Sequence, residues 1–375
     1  MKTEAWNTCI HSRLLLFILI FISLSGVHTF VFAQDSGDQN PARGPVATRK
    51  HFPTDLLFLG FPMQKAAGAE AGTFSWSLNY TQSNSFVKSG SILEALPAED
   101  NRIVFSRELA DELIARNPLG DAYFFDLEVQ RVALSVRYSL APKVSFGFEA
   151  SFLRFGGGFM DGVIESFHST FGIPDDERPD FKKNTAQAFV YLSGNFWYRS
   201  REDLTGAGIG DVILTAQYLL KSEGKRSPLL AAELGLKLPT VSWRKSRGSG
   251  SADFGLRLLA TKNIARNAFY LSIDGVFPGK WQALPDFSPA TFFVLQMAYE
   301  RLIGKNFSLL LQANSNSNPF FGKTATGLNN YSHELTLGVK FNILRTIRCA
   351  AAISENYAYF RNSPDLGFQL GLEMR

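Results

Sequence analysis

The 375-residue chain carries 38 Lys and Arg against 34 Asp and Glu, for a net charge of +4. That excess is too small and too scattered to mark a nucleic-acid partner. Its two cysteines, Cys9 and Cys349, exclude a disulfide scaffold and a cysteine metal centre.

The chain opens with Lys2 and Arg13, an apolar run from Leu14 to Phe30, and then Val31-Phe32-Ala33. This is the layout of a secretory signal peptide, with cleavage after Ala33. Cys9 leaves with it, and Cys349 is then alone. No later stretch reaches the ~18–20 apolar residues of a membrane helix. The mature chain is therefore either soluble in an exported compartment or a β-barrel. Aromatic residues make up 13% of the chain, with 34 Phe, which suits half-buried strands and the aromatic girdles of a barrel.

Gln34 to Lys50 is rich in Gly, Pro and charge and reads as a flexible leader. Phe52 to Met63 is apolar with two prolines, so it reads as an extended plug or collar rather than a helix. Residues 34–72 are set apart as an N-terminal leader, too short for the large plug of an energised transporter. Residues 73–375 form the barrel. The first clear strand is Thr73 to Thr81, where Phe74, Trp76, Leu78 and Tyr80 alternate with polar residues. Ser83 to Asn117 reads as an insertion, with helical spacing over Ser106 to Arg116. Tyr123 to Leu140 is one long strand. Its apolar phase is odd at Phe125, Leu127 and Val129 and even at Val132, Leu134 and Val136, which predicts a β-bulge near Gln130 and Arg131.

Alternating runs continue to the C-terminus, where Leu366, Phe368, Leu370, Leu372 and Met374 oppose Gly367, Gln369, Gly371 and Glu373. Nearly every run has one apolar and one polar face. A lipid-facing barrel explains this more simply than a soluble sandwich does. From residue 200 onward, long polar loops alternate with short turns, which places the C-terminus with the short turns. Upstream parity holds if Ser193-Gly194-Asn195 splits 186–200 into two strands. The count expected is 14, with 12 as the fallback.

A helix is expected over Phe159 to Phe171. Asp161, Glu165 and His168 share one of its faces, opposite Val163, Ile164, Phe167 and Phe171. One Glu-x-x-His supplies too few ligands for a metal centre. The preferred reading is the polar side of an amphipathic helix in the membrane interface or the barrel mouth. Gly206 to Asp211 precedes a strand, so it lacks the helix N-terminus that a phosphate loop needs. Ser332 and His333 are adjacent on a strand and point to opposite faces, so they cannot pair as nucleophile and base. No enzyme activity and no cofactor are expected. Polar residues expected to face inward include Glu149, Asp211, Gln217, Glu233, Lys237, Arg257, Asp274, Glu300, Glu334, Lys340 and Glu355.

Several short segments carry a resemblance. They are Gly158-Phe159-Met160-Asp161, Ile164-Glu165, Phe167-His168, Phe171-Gly172-Ile173-Pro174 and Arg178, then Gly208-Ile209-Gly210-Asp211, Leu238-Pro239-Thr240, Glu355-Asn356 and Pro364-Asp365. On these the chain resembles a family of Gram-negative outer-membrane barrel proteins of unknown function. The resemblance implies an outer-membrane barrel and assigns no substrate or catalytic residue. The chain departs from many such barrels in ending Glu373-Met374-Arg375 rather than in an aromatic residue. Asp365, Gly367, Leu370 and Leu372 still resemble the spacing of a terminal assembly signal.

The expectation is an all-β chain. It forms a transmembrane antiparallel up-and-down β-barrel of about 12–14 strands in the Gram-negative outer membrane, with a short amphipathic helix in an early loop. Asp161, Glu165, His168, Arg178, Asp211 and Glu355 are the candidate polar cluster of its lumen or mouth. Outer-membrane lipid, the barrel assembly machinery and a small-molecule solute are the expected partners, and nucleic acid is not. The leading function is a passive channel or transport protein for small solutes. The alternatives are a structural or lipid-interacting barrel with a filled lumen, and a membrane-embedded hydrolase.

Overall fold

The computed structural model describes residues 44–374 except 69, 97–102, 117–120, 173–177, 193, 305, 324–326, 345 and 359. The signal peptide, its cleavage site, Cys9 and the first part of the leader lie outside the described residues. The early strands are β1 (Thr73–Lys88), β2 (Ala122–Ala141), β3 (Val144–Gly156), β4 (Gln187–Leu192), β5 (Asn195–Arg199) and β6 (Gly206–Ile209). Then come β7 (Val212–Lys221), β8 (Leu229–Leu238), β9 (Asp253–Ile264), β10 (Asn267–Phe277) and β11 (Phe292–Leu302). β12 (Phe307–Asn316), β13 (Ser332–Asn342), β14 (Ile347–Ala358) and β15 (Leu366–Met374) follow. The helices are α1 (Gly90–Ala95), α2 (Arg107–Arg116), α3 (Met160–Phe171) and the single turn α4 (Arg201–Leu204).

Twelve antiparallel strands close the barrel, in the order β1, β2, β3, then β7 through β15 and back to β1. Closure is made by the last strand, in register from Trp76↔Met374 to Asn84↔Leu366. A closed sheet has no edge, so each wall strand satisfies its backbone through its neighbours. The period of two sorts the side chains. On β9, Phe254, Leu256 and Leu258 are exposed on the outer surface, while Asp253 and Arg257 are buried within. Leu234 and Leu236 on β8, Ile273 on β10 and Phe293 and Met297 on β11 continue this exposed apolar belt. Five short turns and the ends of β1 and β15 lie at one end of the barrel, the turn end. The long loops lie at the other, the loop end.

The strand count of 14 is corrected to 12. β4 and β5 do form a hairpin, turning at Gly194 with φ 82°. They do not cross the barrel, because β4 pairs only with Ala122–Asp126 of β2, beyond the wall proper. At six and five residues they fall short of the ~9–11 needed to cross a bilayer. The insertion starts later than expected, since β1 runs on to Lys88.

The predicted bulge at Gln130 and Arg131 is also corrected. The β1–β2 register runs unbroken from Thr73↔Ser139 to Lys88↔Phe124. Odd residues of β2 face inward along its whole length, and it is the surroundings that change. Phe125, Leu127 and Val129 pack into an apolar core in the mouth with Phe52, Phe155 and Trp281. On the outer face, Phe124 is buried against Phe86, Phe105, Phe181 and Phe189 of the early loops.

Candidate functional site: the occupied lumen

Residues 44–68 run inside the barrel as a hairpin that enters and leaves at the turn end. The ascending limb starts where the Gly44 N–H donates to Glu300 Oε2 (3.0 Å) and Lys340 Nζ donates to the Pro45 carbonyl (2.9 Å). Gln312 clamps Val46 from both sides, accepting from its N–H (2.7 Å) and donating to its carbonyl (3.1 Å). Gln369 donates to the Ala47 carbonyl (3.0 Å). The limb turns near the loop end in a 3-10 turn, Asp55–Leu57. There Asp55 meets Lys50 (3.1 Å) and accepts from Asn316 (3.2 Å).

Descending, the Leu59 N–H donates to Asp253 (2.7 Å), Gln296 donates to the Phe61 carbonyl (3.0 Å) and Arg257 donates to the Pro62 carbonyl (2.7 Å). The Ala66 N–H donates to Thr261 (3.0 Å). The segment is thus pinned mainly by wall side chains gripping its backbone. It cannot join the wall's backbone ladder, whose groups are already paired.

The wall carries charges of both signs in pairs. Glu233 accepts from Arg257 (2.8 Å) and Arg137 (2.7 Å). Lys340 and Arg348 both meet Glu373, at 2.7 and 3.2 Å. Asp211 joins this lumen set near the loop end, where Lys237 reaches it at 2.7 Å and Asp253 at 3.4 Å.

The other candidate residues lie elsewhere. Asp161 and Arg178 meet at 2.6 Å on the outer face of the barrel wall, beneath α3. Arg178 also donates to Asn84 (3.1 Å) and to Asp365, and its guanidinium stacks over Phe86. Asp161 further accepts from the Asn184 N–H (2.7 Å). The helix is held there because Glu128 accepts the Met160 N–H at its first turn while Met160 and Ile164 pack on Leu366. Glu165 pairs with Lys183, and His168 is buried on the same helix.

Glu355 is corrected from an inward position. It is paired with Leu335 and Leu366 and so shares the outer face. The six residues therefore form no single cluster; Asp161 and Arg178 come together, and Asp211 is in the mouth. Among the described residues no group of His, Cys, Asp and Glu is placed to hold a metal ion.

Sequence reasoning missed the lumen face of residues 44–51, whose only signal was that their Gly, Pro and charge content precedes an apolar Pro-containing run. It also missed a cross-strand pair. Ser332 faces inward, but Ser315 Oγ lies 2.5 Å from His333 Nδ1 on the outer face, opposite it in register.

Comparison with curated proteins finds no match. Among solved structures the chain is similar to an outer membrane channel from Pseudomonas putida F1, at 12% identity, covering 82% of this chain and 97% of that one, with TM-score 0.48. It is also similar to the toluene transporter TodX of P. putida, at 10% identity, covering 82% and 91%, with TM-score 0.35. A third is outer membrane phospholipase A from Escherichia coli, at 11% identity, covering 81% and 93%, with TM-score 0.34. Over residues 22–375 the sequence fits the family described as Protein of unknown function (DUF3187), and the chain belongs to that family.

Proposed function

We propose that the protein is an outer-membrane transport barrel for small solutes, closed by its own N-terminal segment. The turn end is periplasmic in this reading, as short turns are in outer-membrane barrels. The observation that supports it is the way residues 44–68 are held. Both limbs enter from one end, and most hydrogen bonds between segment and wall run from a wall side chain to a segment backbone group. Each such bond contributes about 1 kcal/mol net, because water replaces it when it breaks. A segment held in this way can leave the lumen without opening the wall.

The test is bilayer conductance of three proteins in a Cys349→Ser background: the mature chain, a variant lacking residues 44–68, and Thr48→Cys/Gln312→Cys. The last puts thiols where the Gln312 amide reaches the Thr48 hydroxyl (2.9 Å), to be bridged by a short, reducible bis-methanethiosulfonate reagent that spans the length the shorter cysteine leaves. The deletion should conduct steadily. The cross-linked protein should be silent until reduced. A deletion variant that keeps the compact, heat-shifted gel form of a closed barrel yet never conducts refutes the proposal, in favour of a structural barrel with a filled lumen.

A further inference from the structure

The loop end of the barrel carries an open recess of about 570 Å³, a size that suits a small molecule. β5 forms one side of it. That strand ends the sheet, so among the described residues no strand covers its far edge. The turn α4, the first residue of α2 and the β8–β9 loop at Trp243 to Lys245 form the other sides.

Four cations line the recess, Arg107, Arg199, Arg244 and Lys245, against two carboxylates, Glu202 and Asp203. Asp203 is engaged in a reciprocal cap with Ser200 (3.1 and 3.3 Å). Arg107 is tied to Asp111 (3.0 Å). Arg199 donates only to neutral oxygens, the Tyr198 carbonyl (3.0 Å) and Ser246 Oγ (3.3 Å). Arg244 and Lys245 make no ion pair among the described residues. Three of the cations sit over rings: Arg107 over Phe196 (4.1 Å), Arg199 over Trp197 (5.3 Å) and Arg244 over Trp243 (4.9 Å). Stacking fixes the face of a guanidinium and leaves N–H groups on its edge to bind a carboxylate.

A second observation points to an occupant with more than a charge. Trp197 is more than nine-tenths buried and lines the recess, and its Nε1 has no acceptor among the described residues. An indole N–H can only donate, and a buried donor left unpaired is costly.

We infer that this recess binds small hydroxycarboxylates. The carboxylate lies on the edges of Arg244 and Arg199 with Lys245 beside them, and a hydroxyl oxygen accepts from Trp197 Nε1. A neutral polyol leaves the surplus of positive charge unmatched. A carboxylate without hydroxyls, held on the arginines, leaves the indole N–H without its acceptor. The site names the solute class for the transport barrel proposed above, and rests on that reading only for its role as the entrance.

The experiment is calorimetric titration of the mature protein in detergent with three probes. Gluconate carries both features, sorbitol keeps the hydroxyls alone, and propanoate keeps the charge alone. Gluconate should bind about tenfold tighter than either, and its affinity should fall as salt rises. Arg244→Gln changes an exposed side chain and should weaken gluconate about tenfold. Trp197→Phe should weaken gluconate about fivefold and leave propanoate unchanged. The compact gel form checks the fold of each variant. If Trp197→Phe loses that form, Arg244→Gln decides the matter.

Absence of gluconate binding, equal affinity for the three probes, or gluconate binding unmoved by Arg244→Gln overturns the site. Heat from lipopolysaccharide alone, with none from gluconate, assigns the cations to the membrane surface and overturns it too. Titration in detergent needs no flux. Gluconate binding with silence of both the full chain and the variant lacking 44–68 therefore upholds the site and overturns the transport reading. Conductance without gluconate binding does the reverse.

Discussion

The notch that seats Phe61 gives the sharpest test of how the lumen is closed. Gly235 and Gly255 lie directly opposite each other on β8 and β9. A Cβ added at Gly235 would sit 2.5 Å from the Phe61 ring, and one at Gly255 would sit 2.7 Å from the ring and from Leu59. The ring has little room to retreat, since the Arg257 guanidinium lies 4.6 Å from its centroid on another side. Gly235→Ala and Gly255→Ala therefore force the segment off the wall.

Overpacking of this kind costs about 1–3 kcal/mol. A shift of about 2 kcal/mol moves the seated-to-released ratio roughly 30-fold. Trypsin reads that ratio. Arg49 and Lys50 are buried in the seated segment and become cleavable on release. In detergent, each variant should be cut after these residues roughly 10- to 30-fold faster than the parent. The same substitutions in the variant lacking 44–68 should raise thermal stability slightly, because Ala replaces Gly in a strand with no ring above it. Cleavage no faster than the parent's, in a protein that keeps its compact gel form, would refute the notch as a seat.

Three further outcomes are expected. Arg178→Met leaves the buried Asp161 and the half-buried Asp365 without their shared cation; the cost is about 3–5 kcal/mol, read as faster proteolysis of the α3 region while the compact barrel form persists. Lys237→Met strips the cation from Asp211 and Asp253 and removes donors to Ser249 Oγ and the Ser251 carbonyl, so hydrogen exchange across 241–251 should accelerate, with unchanged exchange ruling out the lysine as the anchor of that loop. In the turn after β7, burial alone would raise the Glu223 carboxyl, but hydrogen bonds from the Asn263 backbone and side chain and from Lys262 outweigh it and hold it below its usual range. The stabilisation from Glu223 is then fully present above the ordinary carboxylate pKa of about 4.3 and is lost as pH falls through the depressed value. The acid limb of heat-shift stability should flatten in Glu223→Gln, and an unchanged limb would assign the acid sensitivity elsewhere.

What was legible in the sequence is what has a short period. The alternation of Leu366 to Met374 is local, and the pairing of that strand with β1 follows from it. Loop lengths told the two ends of the barrel apart from residue 200 onward. The period of two says which residues share a face but not what covers that face, and the errors come from there. Phe125 and Val132 differ in phase because one meets the apolar core of the mouth and the other lies on the outer surface of the barrel, with no break in the strand between them. Val190 and Trp197 look like wall residues and belong to a hairpin stacked above the wall. Asp161 and Arg178 suggest a lumen cluster because they are charged and buried, and their burial comes from α3 lying on the outside of the barrel. The lumen face of Arg49, Lys50 and His51 had no periodic signal, since an extended segment gripped by side chains needs no repeat.

The distribution of partners bears on whether the segment is a gate or a core. In a core, deleting one side strands the other. Here the wall's main charge pairs are internal to it. Glu233 has Arg257 and Arg137, Glu373 has Lys340 and Arg348, and Lys237 has Asp211. The segment likewise pairs its own charges, Lys50 with Asp55, while Arg49 donates to the segment's own carbonyls at Asp55 and Phe58. Among the described residues few buried ion pairs cross between the two bodies, so separating them breaks hydrogen bonds that water can restore and strands few charges, and its main cost is the apolar contact of Phe52, Phe58 and Phe61 in the mouth. A barrel without residues 44–68 should therefore stay folded and keep its heat-shifted gel form, with a midpoint lowered by the loss of those apolar contacts. A collapse of its thermal stability would mean that the wall leans on the segment as a core, and the gate reading would fail with it.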